Sequence, residues 1–257
     1  MSFEVDQRNK NQNQMGDQTD RDLIARYGLE DDPKIRMGFI RKVFGILTCQ
    51  LVFTALIVGA CMAKRKDPKF VKLMSNPGVL VGAIAGSLIS MIALVCCKCD
   101  KTVPLNYILL TIFTLCESVI VGHICMRVPN PMIVCEAAAL TGAMVTGIFV
   151  YACCSKTDFT VFGPLLFELG LMFCVLGIFI ALFAPGMHIY LAFAGVILFG
   201  FYLIIDVQLL VSGSFGGHRK YQIDEDSYIM GAMAIYMDII NIFLYILEIM
   251  NQPETTN

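Results

Sequence analysis

Five acidic side chains in this sequence stand where an acid is costly. Glu117, Glu136, Glu168, Asp206 and Asp238 lie inside long apolar runs, and none of those runs contains a Lys or Arg. An ionisable side chain inside a bilayer costs roughly 2.5–3.5 kcal/mol on insertion scales, so each one calls for a function or a compensating contact. Without a basic partner a carboxyl has three outlets: it is protonated, it hydrogen-bonds another acid, or it faces a wet cavity that admits cations. Hard oxygen ligands suit calcium, and an acid-lined path without bases favours cations over anions. The chemistry open to these residues is therefore the handling of protons or cations.

The elements that must position them are membrane spans. The chain of 257 residues is 57% hydrophobic and 16% charged, whereas a soluble domain carries about 25% charged residues. A helix needs about 20 apolar residues to cross the bilayer core. Seven stretches qualify: Val43–Ala63, Gly78–Cys97, Leu105–Met126, Met132–Cys154, Phe162–Ala184, Ile189–Val211 and Tyr228–Met250. The breaks carry turn chemistry at Asn76-Pro77-Gly78, Pro104, Pro129-Asn130-Pro131, Pro185-Gly186 and Gly216-Gly217. The expected architecture is all-α and polytopic, with short connections that hold the seven helices in one bundle at residues 35–250. Residues 1–34 read as a disordered cytosolic tail, rich in Asn, Gln and Asp, and 251–257 as a short C-terminal tail. The first apolar run begins too late for a cleaved secretory signal and is expected to act as an uncleaved anchor.

Basic residues near the span ends set the orientation. Arg26, Lys34, Arg36, Arg41, Lys42, Lys98, Lys101, Lys156, Arg219 and Lys220 fall on one side, and Lys64, Arg65, Lys66, Lys69, Lys72 and Arg127 on the other. Ten against six favours a cytosolic N-terminus and a lumenal or external C-terminus, although the Lys64–Lys72 cluster runs against the rule.

Depth then singles out two acids. Asp206 is five residues from the end of the sixth span, or about 7.5 Å, and Asp238 is ten residues into the antiparallel seventh, or about 15 Å. A shift of one turn brings them level. In contact, two carboxyls would share a proton and titrate as one unit, a proton-sensitive latch. The spacing leaves open the alternative that each Asp bonds a nearby hydroxyl or amide, such as Asn241 one turn beyond Asp238. Glu117 is near the middle of its span, Glu136 one turn into the fourth, and Glu168 in the cytosolic half of the fifth. His123 reads as an interfacial residue. Gly78, Gly82 and Gly86 form a small-residue stripe that lets another helix approach.

Other functional classes fall away. A net charge of −2 with no long basic stretch excludes nucleic acid as a partner. Eleven cysteines lie mostly inside apolar runs and read as small buried hydrophobes. Cys96, Cys97, Cys99, Cys153 and Cys154 cluster at span ends facing the cytosol, where palmitoylation is an alternative to simple burial. Neither aspartate has the Gly-x-Gly-Asp context of an intramembrane aspartyl protease, so no enzyme is expected. No cofactor is expected either.

The last two spans read Gly200-Phe-Tyr-Leu-Ile-Ile-Asp206-Val-Gln-Leu-Leu and Ala234-Ile-Tyr236-Met-Asp238-Ile-Ile-Asn241-Ile-Phe243. With Ser155-Lys-Thr-Asp-Phe159 and Phe113-Thr-Leu-Cys-Glu117, this resembles the transmembrane Bax inhibitor motif family, especially its lifeguard and Golgi anti-apoptotic branches. The resemblance covers Ile35 to Met250. It departs at Ile205, where Tyr is usual, at Glu168, where a small residue is usual, and in a longer Ser212–Asp226 loop. The family's fold implies seven helices, the last one central and six wrapped around it in two groups of three. Its activities imply a calcium leak across endoplasmic reticulum or Golgi membranes and restraint of cell death. Asp206 and Asp238 fall on its pH-sensing pair, with calcium passing transiently nearby and Asn241 in support. Membrane lipid, calcium ions and other membrane proteins are the implied partners. The competing reading is a non-conducting regulator that acts by binding other membrane proteins.

Overall fold

The structure is a computed structural model that describes residues 33–96, 103–212, 223 and 227–252. Among these residues the fold is helical without strands, and seven helices are long and apolar enough to cross a membrane. They are α1 (Pro33–Ala63), α3 (Pro77–Cys96), α4 (Leu105–Arg127), α5 (Pro131–Cys154), α6 (Gly163–Phe183), α7 (His188–Val211) and α8 (Tyr228–Met250). A seven-residue helix, α2 (Pro68–Met74), joins α1 to α3.

One device starts three of these helices. An Asx residue followed by proline supplies both an N-cap acceptor and a residue that is preset for the first helical position and has no N–H to satisfy. Asp67 accepts from the Lys69 N–H at 3.0 Å, Asn76 from Gly78 at 2.9 Å, and Asn130 from Met132 at 3.0 Å. The observed helix ends lie within one or two residues of those read from the sequence, with one exception.

The exception is the first helix, which starts at Pro33 rather than at Val43. The charged turns containing Arg36, Arg41 and Lys42 are helical and continuous with the apolar run, so the expectation of a base-free span fails here. Arg36 is 3% exposed. Its guanidinium donates to the carbonyls of Leu209 and Leu210 at 2.8 Å and of Ile223 at 2.7 Å, and it stacks over Phe39. A cation placed there meets the carbonyls at the C-terminus of α7 and the negative end of its dipole. That compensation keeps the helix going. Of the tail expected at 1–34, Pro33 and Lys34 belong to α1 and 1–32 lie outside the described residues, as do Cys97, Cys99 and 253–257 of the C-terminal tail expected at 251–257.

Cross-helix contacts at the ends sort the bundle into two faces. Arg36 at the start of α1 meets the end of α7. Tyr107 at the start of α4 reaches Tyr228 at the start of α8. On the opposite face, Arg65 donates to the carbonyl of Pro129 at 3.0 Å, and His188 at the start of α7 lies 3.3 Å from Glu248 near the end of α8. Alternating spans require this pattern, and α8 runs the whole way between the two faces.

Packing is uneven. α8 packs against α1, α4, α5 and α7, and half of its most apolar window is buried, as in α7. In α6 only 11% of that window is buried, so its large apolar side chains form an outer surface suited to acyl chains. Of the glycine stripe on α3, only Gly86 is closely approached by another helix: a Cβ there would lie 2.8 Å from the Cys116 sulfur.

Candidate functional site: a carboxyl pair between the last two helices

The carboxyls of Asp206 on α7 and Asp238 on α8 face each other within hydrogen-bonding reach. The depths counted from the helix ends differ by five residues. A Cβ on Gly231 would lie 3.9 Å from Leu210 Cδ1, so α8 begins slightly outside the end of α7, and this offset takes up part of the difference. Asp238 is 5% exposed, and its Oδ2 is buried without a hydrogen-bond partner. An unmet buried acceptor costs about 1–3 kcal/mol. Asn241 donates its side-chain N–H to the carbonyl of Met237 at 2.8 Å, one turn back along α8.

The ends of α7 are fixed from two directions. Gln208, two residues past Asp206, is fully buried and holds the α5–α6 connection. Its Nε2 donates to the Thr157 carbonyl at 3.0 Å, and its Oε1 accepts from the Phe159 N–H at 2.8 Å. Within that connection Asp158 accepts from the N–H and hydroxyl of Thr160. The Asp-x-Gln run and the Ser-x-x-Asp-Phe loop are thus joined directly to each other. Arg36 clamps the next turn of the helix.

The other acids take separate positions. Glu117 on α4 is half-buried and accepts a hydrogen bond from Ser87 on α3. Glu136 and Glu168 are exposed and are not joined to the pair. Next to Glu117, Ser118 shares its hydroxyl with Thr54 of α1 at 3.0 Å, and Thr54 also meets the Tyr236 hydroxyl of α8 at 2.8 Å. One turn earlier, Gln50 donates to Thr114 at 2.9 Å. These hydroxyls sew α1, α4 and α8 together through the core. His123 is buried, with Nδ1 2.9 Å from the Met74 carbonyl, so it anchors α2 against α4. Cys96 and Cys154 are exposed and Cys153 half-buried at their helix ends.

Three things escaped the sequence reading: the Arg36 clamp, the Ser87–Glu117 bond and the Thr54–Ser118–Tyr236 group. A Pro at position 33 ahead of mixed apolar residues signals the earlier helix start. The two hydroxyl contacts depend on how each helix is rotated, and spacing does not report that.

Comparison with known proteins agrees with these motifs. The family described as inhibitor of apoptosis-promoting Bax1 matches residues 36–255. The chain is 35% identical to mouse protein lifeguard 4 over 83% of this chain and 84% of that protein. It is 31% identical to mouse protein lifeguard 3 over 89% of the chain and 74% of the relative, and 32% identical to Arabidopsis thaliana protein LIFEGUARD 1 over 87% and 93%. The chain belongs to the Bax inhibitor family. As a member it is an integral membrane protein, and the three relatives above are named as lifeguards.

Proposed function

We propose that this protein is a pH-sensitive calcium leak channel of endomembranes that restrains cell death, gated by Asp206 and Asp238. The observation that carries the reading is the carboxyl–carboxyl contact between α7 and α8, with a buried Oδ2 left over on Asp238. A proton held between the two carboxyls binds α7 to α8. As pH rises through the titration of the pair, the proton leaves and like charges face each other in a poorly screened interior. The contact then loosens, and the freed carboxylates become hard oxygen ligands for a passing calcium ion. Glu117 continues the path by setting its local charge, and Glu136 and Glu168 attract cations at the surface. The anti-apoptotic part of the reading rests on the family and on the names of the lifeguard relatives.

The N-terminus is assigned to the cytosol and the protein to endoplasmic reticulum or Golgi. Tags at Ser2 and after Asn257 should then be accessible on opposite sides of the membrane in selective-permeabilisation labelling, and two cytosolic ends would reject this topology. The test of function is calcium flux into liposomes that hold the purified protein, measured from pH 5 to pH 8. Calcium should pass in preference to chloride, and its rate should change across that range. Equal anion flux, or none of either ion at any pH, would reject conduction and favour a regulator that acts by binding other membrane proteins.

A further inference from the structure

A groove of about 540 Å³ runs between α1 and α5, walled by Leu51, Val58 and Met62 on one side and Val134, Ala138 and Val145 on the other. Val121 of α4 and Ile240 of α8 close its back. Three hydroxyls line it, and all are already committed. Thr141 and Thr146 donate to the carbonyls of Ala137 and Gly142 at 2.7 Å, and Thr54 is held by Gln50, Ser118 and Tyr236. The groove therefore offers a ligand dispersion contacts and little hydrogen bonding. Along α1 the lining runs from Leu51 to Met62, about 16 Å of helix, which is close to half of the roughly 30 Å hydrocarbon core.

Its mouth has the opposite character. Met62 and Pro131 end the lining, and Arg65 beside them donates to the carbonyls of Val128 and Pro129. Lys64, Lys66, Lys69, Lys72 and Arg127 are exposed on the same face. This is the cluster that runs against the orientation rule; within it, Lys64 comes just after Met62 at the end of α1 with its Nζ over the Phe70 ring, and Arg127 precedes the Val128 carbonyl that Arg65 holds. One leaflet deep, apolar inside and basic at the rim, the groove has the dimensions and charge of a single phospholipid.

We propose that the α1–α5 groove is a binding site for one anionic phospholipid, with an acyl chain along Leu51–Met62 and the phosphate at Lys64 and Arg127. The basic cluster then serves as a headgroup site, and the lipid fills a gap between two spans.

The test uses the full chain in nanodiscs with a phosphatidylglycerol that carries a photoactivatable diazirine on its acyl chain. Crosslinked peptides should come from α1 and α5 at least fivefold more than from α6, whose surface is the most lipid-exposed. Unlabelled phosphatidylglycerol should compete, phosphatidylcholine at least fivefold less well, and glycerol phosphate without chains not at all. Gly142 lines the groove, and a Cβ there meets nothing within 4 Å, so the side chain of Gly142→Leu can start into the groove without backbone or Cβ crowding. It should lower α1 and α5 labelling fivefold and leave α6 labelling unchanged, with an unfolding midpoint in denaturing detergent equal to that of the unsubstituted protein showing that the variant is folded. Lys64→Gln with Arg127→Gln should remove the preference for the anionic lipid and keep the labelling pattern. Uniform labelling of all outer helices, or equal competition by phosphatidylcholine, would overturn the proposal.

Discussion

The α7–α8 and α3–α4 interfaces each place a carboxyl between neighbouring spans, and they compensate it by different means. Between α7 and α8 the partner of Asp238 is a second carboxyl, Asp206. Between α3 and α4 the partner of Glu117 is the Ser87 hydroxyl. A hydroxyl can donate to a charged carboxylate and accept from a neutral one, so the Ser87–Glu117 bond survives either protonation state. Two carboxyls can bond only while a proton lies between them. On the proposed reading, the same residue class makes a pH-indifferent joint in one helix pair and a pH-dependent one in the other.

The largest expected effect follows from that difference. Asp206→Asn and Asp238→Asn each keep shape and hydrogen-bonding capacity but remove the shared proton. Each should flatten the pH dependence of calcium flux in proteoliposomes, and the double variant should be no flatter than either single one. Unchanged profiles in both single variants would falsify the latch, and additive flattening would mean two separate titrating sites.

Next in size is Arg36→Gln. It leaves three carbonyls at the end of α7 and the start of the α8 approach without their charged donor, a loss of roughly 2–4 kcal/mol in unfolding by denaturing detergent. Because the clamp acts one turn beyond Asp206, it should also shift the flux midpoint, where a change confined to α3–α4 should not. Arg36→Lys keeps the charge but not the fork that spans several acceptors, and should restore less than half of the stability. A stable Arg36→Gln variant with an unshifted midpoint would separate the clamp from the gate.

Much of this arrangement was legible in the sequence, and the limits have physical causes. Helix ends at α3 through α8 followed from apolar length together with Asn-Pro and Pro turns, because a bilayer forces each span to satisfy its own backbone. The start of α1 was misplaced because Arg36, Arg41 and Lys42 read as residues outside the membrane, whereas Arg36 is neutralised by carbonyls almost two hundred positions away in the chain. Asp206 and Asp238 were brought under suspicion by residue type and depth on adjacent antiparallel helices. That they touch, and that Glu117 meets Ser87, depends on helix rotation and offset, which packing sets and composition does not encode.

A smaller effect is expected at α3–α4 itself. Ser87→Ala removes the donor to Glu117 and should cost about 1–3 kcal/mol, since the carboxyl is left half-buried and unmet. Glu117→Gln can accept the same bond and should be closer to neutral in stability, while changing flux amplitude by removing a charge. In both variants the pH midpoint should stay where it is. A midpoint that moves with Glu117→Gln would make both interfaces pH-sensitive and remove the contrast.

The smallest effect belongs to the hydroxyl group that joins α1, α4 and α8. Tyr236 lies two residues from Asp238, is fully buried, and shares its hydroxyl with Thr54. Neither side chain changes charge near neutral pH, so this contact should behave like Ser87–Glu117 despite its place beside the pair. Interhelical hydrogen bonds in bilayers average only about 0.6 kcal/mol and reach about 1.7, because the separated helices find other partners. Tyr236→Phe and Thr54→Val should each be mild, their double-mutant coupling should fall in that range, and the pH profile should be retained. Tyr236→Phe is the more informative of the two, because Phe keeps the edge-to-face contact with Phe113 at 6.0 Å and removes only the oxygen. If that single oxygen flattened the pH response as the Asp→Asn changes do, proton control would extend from the carboxyls through Tyr236 to Thr54 and Ser118. The boundary between the two kinds of joint would then run through α8 rather than between helix pairs.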